Sequence, residues 1–217
     1  RPDGVLFAAS ACLGILIAVG PGRAALRTAV LLGLPSLLAC LGQLLFRLVY
    51  YGDWLPNTAY IKLGLTPDRF MQGLAYVGGG ARRLAPLLLP AAAGLFAGIG
   101  DARDRRRAWL LAVPLVVWCA YVASIGGDIF PAWRHLLVGV VLVSLFSAQG
   151  VAWIQRRRAV PTWIAWGAAA GLLVILFVQQ AHDPESRRAR KELWEWNGQV
   201  VGRLLRAAFA AQAPLLA

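Results

Sequence analysis

Six uncharged or nearly uncharged apolar runs constrain this chain more than any other feature of its sequence. They are Gly4–Gly20, Thr28–Phe46, Leu84–Ile99, Ala108–Ile125, Leu136–Ile154 and Val160–Val178, each of 16 to 19 residues. A helix of that length spans roughly 24–29 Å at about 1.5 Å per residue, close to the hydrocarbon thickness of a bilayer. A strand reading fails, because nothing alternates with period two over such lengths. The runs therefore predict an all-α, polytopic transmembrane bundle of about six spans. Composition agrees: 59% of residues are hydrophobic and 15% charged, where soluble domains run near ~45–50% and ~25%. A water-soluble core, a disordered tail and a disulfide scaffold are excluded. Pro35, Pro86, Pro90 and Pro114 fall inside runs, and spanning helices tolerate them where neighbours satisfy the freed carbonyls. Leu84–Ile99, short and holding two of these prolines, is the weakest span.

The net charge of +12 is a topology signal, not a nucleic-acid one. DNA binders do not distribute their basic groups between apolar runs. Three short connectors, Pro21–Arg27, Gly100–Arg107 and Gln155–Ala159, carry nine Arg against Asp101 and Asp104, and they occur at every second crossing. That is the pattern of cytoplasmic loops under the positive-inside rule. Eight of the ten acidic residues fall on the other side. Of 22 basic residues 20 are Arg, so any single arginine carries limited weight. Cys12, Cys40 and Cys119 all lie in apolar runs and read as small buried hydrophobes. Residues 1–180 form the predicted membrane core, and 181–217 the start of an extracytoplasmic region. The chain opens at Arg1 without Met and ends at Ala217 within an apolar pattern, as a piece of a longer protein would.

No soluble-enzyme motif is present, so chemistry is expected at helix ends on the face opposite the basic connectors. Four clusters gather there. Arg1-Pro2-Asp3-Gly4 abuts the first run, where a charge-paired helix end is the plain alternative. Arg47 near the close of the second run can simply reach for headgroups. Tyr50–Lys62 is too polar and aromatic to span; Pro56 suits a first helical turn, which places Thr58 and Lys62 on one face. An interfacial amphipathic helix is its structural alternative. Gly126–His135 supplies two glycines for a turn, then Asp128, Arg134 and His135. Its alternative is an ordinary loop whose Trp133 joins an interfacial aromatic belt with Trp54, Trp109, Trp153 and Trp163. Gly78-Gly79-Gly80 reads as a flexible joint before the third run. Pro184–Phe209 reads as one amphipathic helix, with Val201, Leu204, Leu205 and Ala208 on one face and Gln199, Arg203 and Arg206 on another.

RPDG (Arg1–Gly4), YYGDWLPNTAYIKLG (Tyr50–Gly64) and GGDIFPAWRHLL (Gly126–Leu137) stand in this order with these spans between them. The arrangement resembles bacterial polytopic glycosyltransferases of the C-type superfamily, which take sugars from polyprenyl-phosphate carriers. The nearest likeness is to the branch holding cell-wall arabinofuranosyltransferases, and it covers most of the chain. The resemblance implies an enzyme of the bacterial inner membrane, active on its extracytoplasmic face, with a polyprenyl-phosphate-linked sugar as donor. Its other partners would be a glycan or lipid acceptor and membrane lipids. That superfamily carries its principal catalytic acid in an exported loop that would precede Arg1, so the 217 residues alone are expected to lack turnover. Secondary acid candidates are Asp3, Asp53 and Asp128.

Holding an anionic leaving group at a membrane surface calls for cations: Arg as a fork of donors, Lys as a point charge. Arg134 and Lys62 are the candidates, with Arg1 and His135 beside them. Tyr50, Tyr51 and Tyr60 can stack on sugar rings or headgroups, and Asn57 can bind hydroxyls. The acids can bind sugar hydroxyls, orient the cations or assist a divalent metal, although no metal-ligand motif is present. The rival class is a non-catalytic transporter, flippase or scaffold. A transporter concentrates polar groups at mid-membrane, where these runs hold mainly Cys12, Ser36, Cys40, Cys119 and Ser144.

Overall fold

The computed structural model describes residues 3–54, 66–128, 132–157, 160–191 and 194–208. Among the described residues there are nine α-helices and no strand. In chain order they are α1 (Asp3–Val19), α2 (Arg23–Tyr51), α3 (Pro67–Arg83), α4 (Ala85–Gly100), α5 (Ala102–Ser124), α6 (Leu137–Arg156), α7 (Thr162–His182), α8 (Pro184–Lys191) and α9 (Trp194–Ala208); a 3-10 turn at Arg134–Leu136 leads into α6. The protein is an all-α polytopic bundle.

The spans differ from the six expected runs. Among the described residues four helices are long and apolar enough to cross a membrane: α2, α5, α6 with its leading turn, and α7. A fifth crossing exists only if α3 and α4, which meet at 90°, count as one broken span. The 17-residue α1 is apolar but short, and it packs antiparallel on the 29-residue α2.

Small residues set the centre of the bundle. Helix α4 packs most closely on α6, where a Cβ on Gly94 would overlap the Phe146 carbonyl and one on Gly150 the Pro90 carbonyl. This is close backbone approach through small residues at i,i+4, the usual means of joining helices where water supplies no driving force. Ser147 donates across the same contact to the Leu87 carbonyl at 2.8 Å, within one turn of Pro90, which the helix accommodates without a break. Leu84, Leu87, Ala91, Ala108, Val143 and Phe146 fill the core around it. Helices α2 and α7 remain largely exposed along their lengths, 6% buried in each apolar window, as lipid-facing helices are.

One connector is tighter than the sequence implied. The basic linker after α4 shrinks to Asp101, and Arg103–Arg107 lie in the opening turns of α5. Asp104 is 3% exposed and joins α5 to α6 through Arg156 at 2.5 Å, while Gln149 donates to its carbonyl at 3.2 Å. Gly100 approaches the Arg157 guanidinium, and Gly14 of α1 meets Trp109 of α5. The three basic connectors thus share one end of the bundle. The tail carries helices α8 and α9, and residues 192, 193 and 209 of the expected 184–209 helix lie outside the described residues.

Candidate functional site

Helix α3 builds the opposite end. Thr66 caps it by accepting from the Arg69 amide at 3.3 Å, and Pro67 and Asp68 occupy the first turn, a standard helix start. From there it lies across the ends of its neighbours. Gly73 meets the Ala123 carbonyl at the close of α5, and Gly79 and Gly80 meet Trp133 and Leu136 at the start of α6. Its last residue, Arg83, reaches Asp183 just past α7. The glycine triplet 78–80 is therefore not a flexible joint. It is helical, and two of its glycines provide the room that lets the Trp133–Leu136 turn dock on α3; a Cβ on Gly79 would lie 2.6 Å from the Trp133 ring.

The Gly-Gly-Asp sequence is fixed by the same helix. Gly126 and Gly127 both take φ of 81°, the left-handed region that favours glycine. Side chains there would strike Arg69 and Tyr76: a Cβ on Gly127 would lie 2.7 Å from Tyr76 Cγ. Two independent constraints thus require glycine immediately before Asp128. The Asp128 side chain is fully buried. Arg134 Nε donates to its Oδ2, and the guanidinium reaches Oδ1 at 3.4 Å. His135 Nδ1 lies 3.0 Å from the same Oδ2. His135 is itself buried, and its carbonyl accepts a 2.6 Å bond from the indole of Trp118 in α5. Ala132 and Trp133 carry φ of 66° and 55°, unusual for non-glycine residues, and this turn sets the Trp133 ring against α3.

Beside this cluster lies a cavity of about 390 Å³. Arg83, Trp133, Arg134 and Gln180 supply its polar lining; Leu84, Leu136, Leu137, Val140 and Leu176 form an apolar wall. The Arg83 guanidinium stacks 4.4 Å over the Trp133 ring, which in turn packs on Tyr76 at 4.7 Å. Arg83 Nε donates to Asp183 Oδ1 at 2.6 Å, and the Ser186 amide donates to Asp183 Oδ2 at 2.9 Å. Burial pushes the Asp183 carboxyl upward, but the Ser186 amide and the Arg83 guanidinium together outweigh it and hold the group below the usual aspartate range. Asp183 thus caps α8 and fixes a cavity cation at once.

The structure gathers Asp128, Arg134 and His135 as one cluster. Tyr50 and Tyr51 are not among the residues lining the cavity beside it. Tyr50 and Tyr51 end α2, 70% and 62% exposed, packed on each other at 4.8 Å and on Phe46. Arg47 stacks over Tyr51 at 5.4 Å. Asp53 follows the left-handed Gly52 that closes α2 and does not line the cavity. Asp3 opens α1. Arg1, Asn57, Tyr60 and Lys62 lie outside the described residues. Trp133, expected in an interfacial belt, is instead a packing residue of the site, whereas Trp54, Trp109 and Trp163 are exposed. Among the described residues no three His, Cys, Asp or Glu come together, and Asp128 with His135 supply only two donors, the carboxylate already held by Arg134. Among the described residues the arrangement does not fit a divalent metal. Arg83, Tyr76 and Asp183 were not anticipated. Their available signals were Arg82-Arg83 as a basic pair on the acidic side, and Asp183-Pro184-Glu185-Ser186 as a helix-start pattern.

No protein-family model, curated protein or solved structure matches this chain.

Proposed function

We propose that this chain belongs to an integral-membrane glycosyltransferase moving a sugar from a polyprenyl-phosphate donor to a cell-envelope glycan or lipid acceptor. The reaction takes place at the end of the bundle opposite the basic connectors. Under the positive-inside rule that end is extracytoplasmic, and the bacterial inner membrane is its setting. One observation carries the reading: Arg134, pre-oriented by a fully buried carboxylate, lines a cavity whose other wall is apolar. Its volume falls within the ~300–1,000 Å³ range of small-molecule sites. A phosphate joined to a hydrocarbon chain needs those two surfaces side by side.

Asp128 serves to position rather than to take a proton. Both its oxygens are occupied by Arg134, and His135 shares one of them. Arg134 keeps 42% of its side chain exposed, so the guanidinium can stabilise charge growing on a departing phosphate. The transporter alternative gains little. Among the described residues the one sharp break, between α3 and α4, adjoins Arg134 and Gln180 at the bundle end, not mid-membrane where transporters place theirs.

The test is transfer from a radiolabelled polyprenyl-phosphate sugar in membranes isolated from cells carrying chromosomal variants. At equal expression, Arg134→Ala should lose about tenfold to a hundredfold, the worth of one hydrogen-bonded charge, while Arg157→Ala at the other end retains transfer. Equal transfer by the two variants refutes the reading.

A further inference from the structure

The Arg134 motif accounts for one wall of the cavity; Arg83 stands outside every motif and supplies a second cation. Three contacts fix it. Its guanidinium carbon lies 4.4 Å from the centre of the Trp133 ring, Nε is held by Asp183, and one terminal nitrogen donates to the Gly79 carbonyl at 3.1 Å. A flexible arginine loses considerable rotamer freedom on gripping a ligand; this one has already lost it. Its side chain is 29% exposed, and it lines the same cavity as Arg134. Trp133 and Arg134 are adjacent in sequence, so the strained Ala132-Trp133 turn sets the spacing of both arginines. The carboxylates behind them, Asp128 and Asp183, are buried at 0% and 6% side-chain exposure. Each guanidinium thus has a buried carboxylate as its anion and lines the cavity.

We infer that Arg83 and Arg134 together clasp one lipid-borne phosphate, with Asp183 as the positioning residue of Arg83 and the Leu84–Leu136–Val140–Leu176 wall receiving the hydrocarbon chain. This rests on the donor class proposed above and adds a second binding residue and a link to the tail. Because Asp183 also caps α8, a change that pulls α8 away removes the support of Arg83. Occupancy of the phosphate site and seating of the tail are therefore coupled.

Binding to the purified, detergent-solubilised protein tests this with three probes: polyprenyl phosphate without sugar, the polyprenol lacking phosphate, and phosphatidic acid. Wild type should prefer polyprenyl phosphate to polyprenol by about tenfold or more. Arg83→Ala should remove most of that preference without changing polyprenol affinity, and Arg83→Gln, which keeps much of the side-chain bulk, should do the same. Asp183→Asn should weaken phosphate binding severalfold, and Asp183→Glu should recover part of it, which a purely structural role would not produce. Lys191→Ala, at the exposed end of α8, should bind as wild type. If Arg83→Ala and Arg83→Gln bind as wild type while Arg134→Ala fails, the assignment of Arg83 falls and the proposed function stands. If Arg134→Ala also binds as wild type, both fall. Equal affinity for phosphatidic acid supports the clasp and overturns the polyprenyl donor.

Discussion

Each end of the bundle holds a buried aspartate paired with an arginine, and the two pairs are built differently. Asp104 and Arg156 stand 52 residues apart and tie α5 to α6. The Arg156 side chain is half exposed, and Gln149 secures the backbone beside the pair. Asp128 and Arg134 stand six residues apart within one connection. There the aspartate has His135 as a further partner, two positive-φ glycines before it, and an arginine that opens on a cavity. The first pair joins helices; the second presents a cation. An Asp–Arg pair alone does not mark a functional site. What distinguishes the second is the local backbone cost accepted to aim it, since residues in sparsely populated φ regions persist only where surrounding contacts impose them.

The largest effect that would sharpen this contrast comes from removing each arginine. Arg156→Ala leaves Asp104 buried without its guanidinium and should cost about 1–3 kcal/mol of stability, with lipid-phosphate binding intact. Arg134→Ala also strips a buried carboxylate of its guanidinium and should cost about 1–3 kcal/mol of stability, but it alone should lose lipid-phosphate binding. Binding titrations on the two variants, with thermal melts to confirm folding, separate these outcomes, and equal binding by both would erase the distinction.

A smaller effect is expected from the turn glycines. Gly127→Ala must place a Cβ at positive φ and 2.7 Å from Tyr76 Cγ, costing about 1–2 kcal/mol for the backbone alone and displacing Asp128. Gly22→Ala at the basic end meets nothing within 4 Å and keeps an ordinary φ of −84°, so it should melt as wild type. Matched melts of both variants check this.

The smallest effect concerns acid. The Asp183 carboxyl is held below its ordinary range, so its folded form binds a proton less readily than the unfolded chain does. Its stabilisation is present above the ordinary aspartate range and fades as pH falls through the lowered value. With Arg83 partly exposed, about 1 kcal/mol or less is at stake. Asp183→Asn should therefore show a slightly flatter loss of stability between neutral and strongly acid pH, measurable by melts across that range. Identical profiles would remove Asp183 from the account of Arg83.

Much of the fold was legible because bilayer crossing is written in runs and charge. Helices α2, α5, α6 and α7 follow from apolar length, and the common end of the basic connectors follows from their alternation. The Leu84–Ile99 run is a helix, but its union with α3 at 90° was not legible: α3 is amphipathic, and its route depends on glycines whose role appears only beside Trp133 and Leu136. Asp128, Arg134 and His135 were readable as a group because they are close in sequence. Arg83 and Asp183 were not, since they pair across 100 residues. Tyr50 and Tyr51 were chosen by motif, and they stand exposed at the end of α2 without lining the cavity.

Photo-crosslinking with a diazirine-bearing polyprenyl phosphate tests the central claim most directly, because it reports where the lipid phosphate sits. Peptide mapping should recover label on the 132–140 segment and near Leu176 and Gln180, lost in Arg134→Ala and retained in Arg156→Ala. Label concentrated instead on the groove of Ser144, Ser147 and Trp166, or at the basic end beside Arg156, and insensitive to Arg134→Ala, would contradict it.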